Sequence, residues 1–249
     1  MSQSVTIEIC VEGVDGLIAA QNAGADRVEL CASLIEGGLT PSFGVVSTAL
    51  SVATVPFHVI VRPRGGDFLY SEAEHLSMLL DVSMLKDLGV KGVVIGCLTA
   101  DGKIDEVRMS ELVAAARPMS VTCHRAFDMT VDPVEALEAL IRCGIDRVLT
   151  SGQRNTGIEG IPVLKAAVEQ AKGRIVIMGC GELDAGNIAQ VRDATGLSEL
   201  HFAALKVELS AMDYRNPHVG MGGTDLDREY QNTVTDGTAV AATIAAARN

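Results

Sequence analysis

Two stretches of this chain end alike, Ile7-Glu8-Ile9-Cys10 and Val28-Glu29-Leu30-Cys31, each placing a thiol two residues after a carboxylate. Side chains two apart on a strand share a face. Two carboxylates and two thiols therefore meet if both strands turn that face into one pocket. Thiolates are soft ligands that select Cu(I), and carboxylates beside imidazoles make general acids and bases. The imidazoles are present. His58 shares a strand face with Ile60 and Arg62, His124 precedes Arg125 in Thr122-Cys123-His124-Arg125, and His201 lies in Glu199-Leu-His-Phe-Ala203. Glu8, Glu29, His58, His124 and His201 are thus candidates for proton transfer, with Arg62 and Arg125 to hold a substrate carboxylate. Cys10 and Cys31 are the candidates for a metal.

Plainer roles compete with these. A buried Cys is more often inert core than a ligand, and Glu8 and Glu29 would also serve to neutralise Arg62, Arg64 and Arg125. Cys143, beside the helix-ending Gly144, reads as structural, and the scattered Met as core filler. The chain has no CxxC and no Met-rich run. Adjacent parallel strands lie about 4.8 Å apart, near enough for two thiolates to share an ion only if the strand stagger leaves both facing inward.

The elements that must position these residues alternate strictly. The expected strands are Thr6–Cys10, Arg27–Cys31, Pro56–Val61, Gly92–Cys97, Ser120–His124, Arg147–Ser151, Arg174–Met178 and Glu199–Ala203. Between them lie helical stretches: Val14–Asn22, one opened by Pro41, one capped by Ser71 and running to Leu88, then Asp105–Arg117, Asp132–Cys143, Gly160–Ala171 and Asp184–Ala194. Eight such units of even length, with no G-x-G-x-x-G after the first strand, predict an α/β fold: one TIM-type (β/α)8 barrel over residues 1–249. Functional groups then come from the C-terminal strand ends, near Cys10, Cys31, Arg62, Cys97, His124, Ser151, Met178 and Ala203. One segment breaks the rhythm. Residues 206–237 are polar and Gly-containing, and predict a long loop before a final helix from Thr238 to Arg248.

Aromatics make up only 3% of the residues, so the core must be built from aliphatic side chains. The net charge of −12 and scattered basic residues argue against nucleic acid as a partner. The N-terminus lacks a basic-then-apolar leader, and no apolar run approaches the roughly 20 residues of a membrane span. Six Cys without a disulfide framework predict reduced thiols and a cytoplasmic protein.

The strings EICV, GADRVELCASLIEGGLTPSFG, VRPRGGDFLYSE, TCHRAFDM and RVLTSGQ, with the tail motif Met212-Asp-Tyr-Arg-Asn216, resemble the signature segments of the CutC family. The likeness runs over essentially the whole chain. It implies a TIM-type barrel, a cytoplasmic and often oligomeric protein, and a link to copper tolerance with Cu(I) bound through cysteine. By motif match it carries over Glu8, Cys10, Glu29, Cys31, His58, Arg62, His124, Arg125 and His201, and adds Arg64, Asp67, Asp128 and Ser151 as substrate-binding residues. Two loops depart from the pattern. The family's M-x-G-x-G-V turn after strand seven reads Met178-Gly-Cys-Gly-Glu182-Leu183, and the small hydroxyl residue common near His201 is replaced in Phe202-Ala203-Ala204. Barrels often hold phosphate at these loops, and Glu182 would repel it.

The expected partner is a small molecule or a metal ion, with copper as the candidate cofactor. The alternative function is isomerase- or lyase-type acid–base chemistry on a small polar or sugar-like compound. A homodimer is also expected, because an ordered connection as long as 206–237 needs something to pack on, and it carries Tyr214 and Tyr230.

Overall fold

In a computed structural model, which describes residues 5–221 and 226–249, the β-branched runs form eight parallel strands. These are β1 (Thr6–Glu12), β2 (Arg27–Cys31), β3 (Phe57–Ile60), β4 (Gly92–Ile95), β5 (Ser120–Cys123), β6 (Arg147–Thr150), β7 (Val176–Gly179) and β8 (Glu199–Phe202). They pair in sequence order and β8 closes on β1, giving a complete barrel. The helices are α1 (Gly13–Asn22), α2 (Phe43–Val52), α3 (Glu72–Asp87), α4 (Glu106–Ala116), α5 (Pro133–Arg142), α6 (Ile161–Ala171), α7 (Ile188–Thr195) and α8 (Gly237–Arg248). The (β/α)8 expectation holds.

Outward-facing strand residues carry the apolar core. Ile7, Ile9, Val28, Leu30, Val59, Val93, Val121 and Val148 are fully buried against the helical layer. The inward faces carry the buried charged and imidazole groups, with Ile60, Val94, Leu149 and Met178 filling between them, which is why the site lies inside. Local signals set the helix starts. Ser71 and Glu74 form a reciprocal capping box at α3. Asp132 caps α5 ahead of Pro133, whose missing N–H is no loss there. Pro41 does not open a helix as expected: Ser42 accepts from the Val45 amide and α2 begins at Phe43. Among the described residues no helix is long and apolar enough to cross a membrane.

Two glycines shape the interior. A Cβ on Gly92 would stand 2.4 Å from the His58 ring, and one on Gly96 2.4 Å from the His124 ring. Both imidazoles occupy space that a larger residue on β4 at 92, or just past its end at 96, would fill.

The segment 206–237 is not a plain loop. It contains an antiparallel pair, β9 (Leu205–Leu209) with β10 (Gln231–Thr235), outside the barrel sheet. Nearly all of β9 and β10 is solvent-exposed, so the sequence offered no burial contrast to mark them. Arg215 stacks on the Tyr230 ring at 4.9 Å, and the Tyr230 hydroxyl accepts from the Asn216 amide at 2.6 Å.

Candidate functional site

The stagger between β1 and β2 decides what the repeated Glu-x-Cys ending does. Cys10 lies opposite Glu29, Glu8 opposite Arg27 and Glu12 opposite Cys31. The two motifs are thus offset by two residues, and an even offset keeps all four side chains facing inward. As a result Cys10 Sγ and Cys31 Sγ lie 3.7 Å apart. One ligand atom each from Cys10, Glu29 and Cys31 lies within 4.8 Å of the others. Cys10 is 8% exposed, and Cys31 and Glu29 are nearly sealed.

Below the thiols lies a charged network. Glu8, 1% exposed, accepts from Arg27 and, at 2.9 Å, from His201 Nδ1, with His58 Nδ1 4.0 Å away. Arg27 also meets Glu199 at 2.5 Å, and Arg147 meets the same carboxylate at 2.6 Å. His201 Nε2 is 3.8 Å from Glu29 Oε2. The arginine that Glu8 pairs with is therefore Arg27, not Arg62, Arg64 or Arg125. Arg27, Arg147 and Glu199 were not singled out from the sequence, although period two from Glu29 points to Arg27 and from His201 to Glu199.

Burial and neighbours push these groups apart. Burial alone would raise the Glu8 carboxyl, but the His201 hydrogen bond and the Arg27 charge override it and hold Glu8 far below the usual range. Burial and the negative charge on Cys10 push Glu29 the other way, well above it. The hydrogen bond from Cys31 lowers the Cys10 thiol to about 5 against the effect of burial, with His201 helping. Burial pulls His201 down, yet its hydrogen bonds to Cys10 and Glu8 raise it to about 10. At neutral pH the cluster thus holds ionised Glu8, a Cys10 thiolate and an imidazolium at His201, with Glu29 biased toward its protonated form. Cys31 keeps its proton, because donating to Cys10 and being buried both raise it.

The other expected residues lie apart from this cluster. His124 accepts the Ala126 amide at Nδ1 and packs, tilted by 42°, against Phe68 with ring centroids 4.9 Å apart. Burial, and then the Arg62 charge, lower it to about 3. Arg62 lies under the same Phe68 ring, 5.1 Å from its centroid. Arg64 turns outward to Asp67 and Glu74 at 2.9 and 2.7 Å, stitching the loop after β3. Asp128 accepts from Thr150 Oγ1, the Ser151 hydroxyl and amide, and the Gln153 amide, while Arg125 bridges Asp128 and Ser151. That trio ties the loop after β5 to the loop after β6. Residue 182, where the family turn has glycine, has a φ of 52°. Glycine adopts this left-handed conformation freely, whereas Glu182 is strained there by about 1 kcal/mol.

A model of the CutC family matches residues 5–206. The chain is 72% identical over 242 residues to a CutC family protein of Mesorhizobium japonicum, covering 97% of this chain and 94% of that protein. It is 44% identical over 243 residues to the copper homeostasis protein cutC homolog of Homo sapiens, covering 98% of this chain and 89% of that one. A solved CutC structure from Streptococcus agalactiae superposes with a TM-score of 0.75 at 34% identity, covering 80% of this chain and 98% of that chain.

Proposed function

The chain belongs to the CutC family, and from that premise we propose that it is a copper homeostasis protein that binds Cu(I) through Cys10 and Cys31. The observation that carries this is the 3.7 Å separation of the two sulfurs at the inner end of the barrel mouth. The donor set fits a soft ion, because two thiols converge and one is already ionised at neutral pH. Glu29 Oε1, buried beside them without a hydrogen-bond partner, is an orphaned acceptor that a bound ion would satisfy. His201 orients and charges the thiolate rather than ligating. Cytoplasmic residence follows from the reduced state such thiols need.

The test is a competitive Cu(I) titration of the purified protein. The Cys10→Ser/Cys31→Ser double variant is expected to lose affinity by a hundredfold or more, since altering groups that only support a metal's ligands already costs about 10–100-fold. Cys143→Ser is expected to bind as the wild type does, because Cys143 lies on the outer layer against Glu106. Unchanged affinity in the double variant removes the thiols from copper chemistry.

A second reading has its own support. Glu8 and Glu29 are pushed in opposite directions on the two sides of the His201 imidazole, an arrangement that separates an acid from a base within one site. It favours isomerase- or lyase-type chemistry on a small polar compound, and it predicts that the double variant keeps whatever activity the glutamates support.

The arm formed by β9 and β10 exposes Leu205, Val207, Leu209, Met212 and Tyr214. We propose that it pairs with a second copy of the chain, giving a homodimer. Light scattering is expected to give twice the chain mass of 26.1 kDa, and Val207→Glu/Leu209→Glu is expected to shift it to one. A monomeric mass for the wild type at micromolar concentration would leave the arm as a lid over its own barrel.

A further inference from the structure

Loops after β2, β3, β4 and β5 enclose a cavity of about 620 Å³ at the C-terminal mouth, walled by Arg62, Phe68, Leu69, Leu98, Arg125 and Met129. It is separate from the thiols, and only the Glu36–Gly38 turn lies between them. Gly38 packs against Cys31 Sγ, while the carbonyls of Glu36 and Gly38 accept from Arg62 on the other side.

Arg62 is the unusual group. Two arginines are buried among the described residues, Arg27 and Arg62. Arg27 faces two carboxylates, whereas Arg62 has none within 4.0 Å. Its Nη atoms are held only by the carbonyls of Glu36, Gly38 and Gly66, and its Nε–H is buried without a partner. Carbonyl dipoles offset part of the desolvation of a guanidinium but leave its charge uncompensated. A second unpaired donor lies behind the same Phe68 ring. His124 Nδ1 accepts the Ala126 amide, so its proton is on Nε2, which is buried and unpartnered. The other charges on the cavity are committed or solvated. Asp67 pairs with Arg64, Asp128 with Arg125, and Glu36 stands half-free at the rim.

We infer that this cavity binds a small organic monocarboxylate, its carboxylate on Arg62 and its apolar body along Phe68, Leu69, Leu98 and Met129. The single uncompensated charge and the unpaired Nε–H of Arg62 match a monoanion. A dianionic phosphate would face Glu36, Asp67 and Asp128 around the rim, and the apolar wall needs a carbon chain to cover it. The inference rests on Arg62 and the cavity, and stands whether or not the thiols bind copper.

Isothermal titration with sodium hexanoate, its neutral isostere hexanamide, and inorganic phosphate tests it on the full chain. Hexanoate is expected to bind one site, with hexanamide about tenfold weaker or more, the loss of one charge-assisted contact. Arg62→Gln should abolish the difference. Because that variant can disturb the loop, two rim changes leave Arg62 in place. Met129→Glu is expected to weaken both ligands through the lost apolar wall, and hexanoate by roughly a further threefold to fivefold through the added like charge, whereas Glu36→Gln is expected to tighten hexanoate by roughly threefold to fivefold with hexanamide unmoved. Equal affinity for hexanoate and hexanamide, tighter binding of phosphate than of hexanoate, no saturable binding of hexanoate, or rim variants without effect would each overturn the inference.

Discussion

Replacing Glu8 by glutamine is expected to destabilise the protein by about 3 kcal/mol, the scale on which breaking one side of a buried ion pair acts. In a chain of 249 residues that lowers Tm by on the order of 10 °C. Glu8 is 1% exposed and is shared by three positive or polarisable groups, Arg27, His201 and His58. Glutamine keeps the shape but not the charge, and it turns a donor toward a guanidinium. Glu199 remains for Arg27, so the loss falls at the lower end of the range for a fully orphaned charge. Glu111→Gln is the control. It also removes a carboxylate from a buried imidazole, His75, but Glu111 is half exposed and water replaces it, so the expected change is below about 1 kcal/mol. Glu8→Leu combined with Arg27→Met should recover much of the loss, since an apolar pair of similar volume avoids desolvating either charge. Urea midpoints measure all three. Equal small changes for Glu8→Gln and Glu111→Gln would show that Glu199 alone neutralises Arg27.

The same network shows how far the sequence could be read. Strand–helix alternation was legible because outward residues such as Ile7, Ile9, Val28 and Leu30 are fully buried, and a buried face leaves a period-two trace. Strand ends were less legible. The regular ladder stops at Ile60, Cys123 and Thr150, while Arg62, His124 and Ser151 continue inward past it, held by side-chain contacts. At the first strand the reverse holds, and β1 runs on to Glu12, two residues beyond Cys10. Arg27, Arg147 and Glu199 went unnoticed because charged residues at strand starts look like turn residues, and only the closed barrel brings β2, β6 and β8 together around them. The approach of Cys10 to Cys31 depends on a two-residue stagger, a property of sheet closure that no linear pattern carries. Motif spacing named residues that fall in two neighbourhoods but could not separate the thiol cluster from the Arg62 cavity, since both draw on the same mouth.

Stability is expected to decline from about pH 7 toward 9 and to fall steeply as pH drops from about 6 to 4. His58 and His124 set the acid limb. Burial holds them to about 4 and about 3, with the Arg62 charge adding to the shift at His124 and the Glu8 carboxylate opposing it at His58. An unfolded imidazole takes its proton near about 6.5. Below that pH the unfolded chain binds protons that the folded chain refuses, so acid favours unfolding, by on the order of 3 kcal/mol per imidazole. Glu8 has the same sign at lower pH. Its contribution is full above 4.5 and is lost as the pH falls toward its depressed folded value. On the alkaline side two groups oppose each other. His201, raised to about 10, contributes fully below 6.5 and loses that contribution as pH rises through 10. Cys10, lowered to about 5 from 9.0, contributes fully above 9.0 and loses that contribution as pH falls through 5. Between 6.5 and 9.0 these two cancel, because folding there moves a proton from thiol to imidazole, and the remaining slope is set by Glu29, whose raised carboxyl stabilises the folded barrel below its folded value and gives that up as pH rises. Urea midpoints from pH 9 to 4.5 measure the profile. His58→Gln should flatten the acid limb by about half while leaving the alkaline decline in place. A wild-type profile that is level from pH 6.5 to 4.5 would mean that these imidazoles are protonated in the folded barrel, with Glu8 and the mouth carbonyls solvating them.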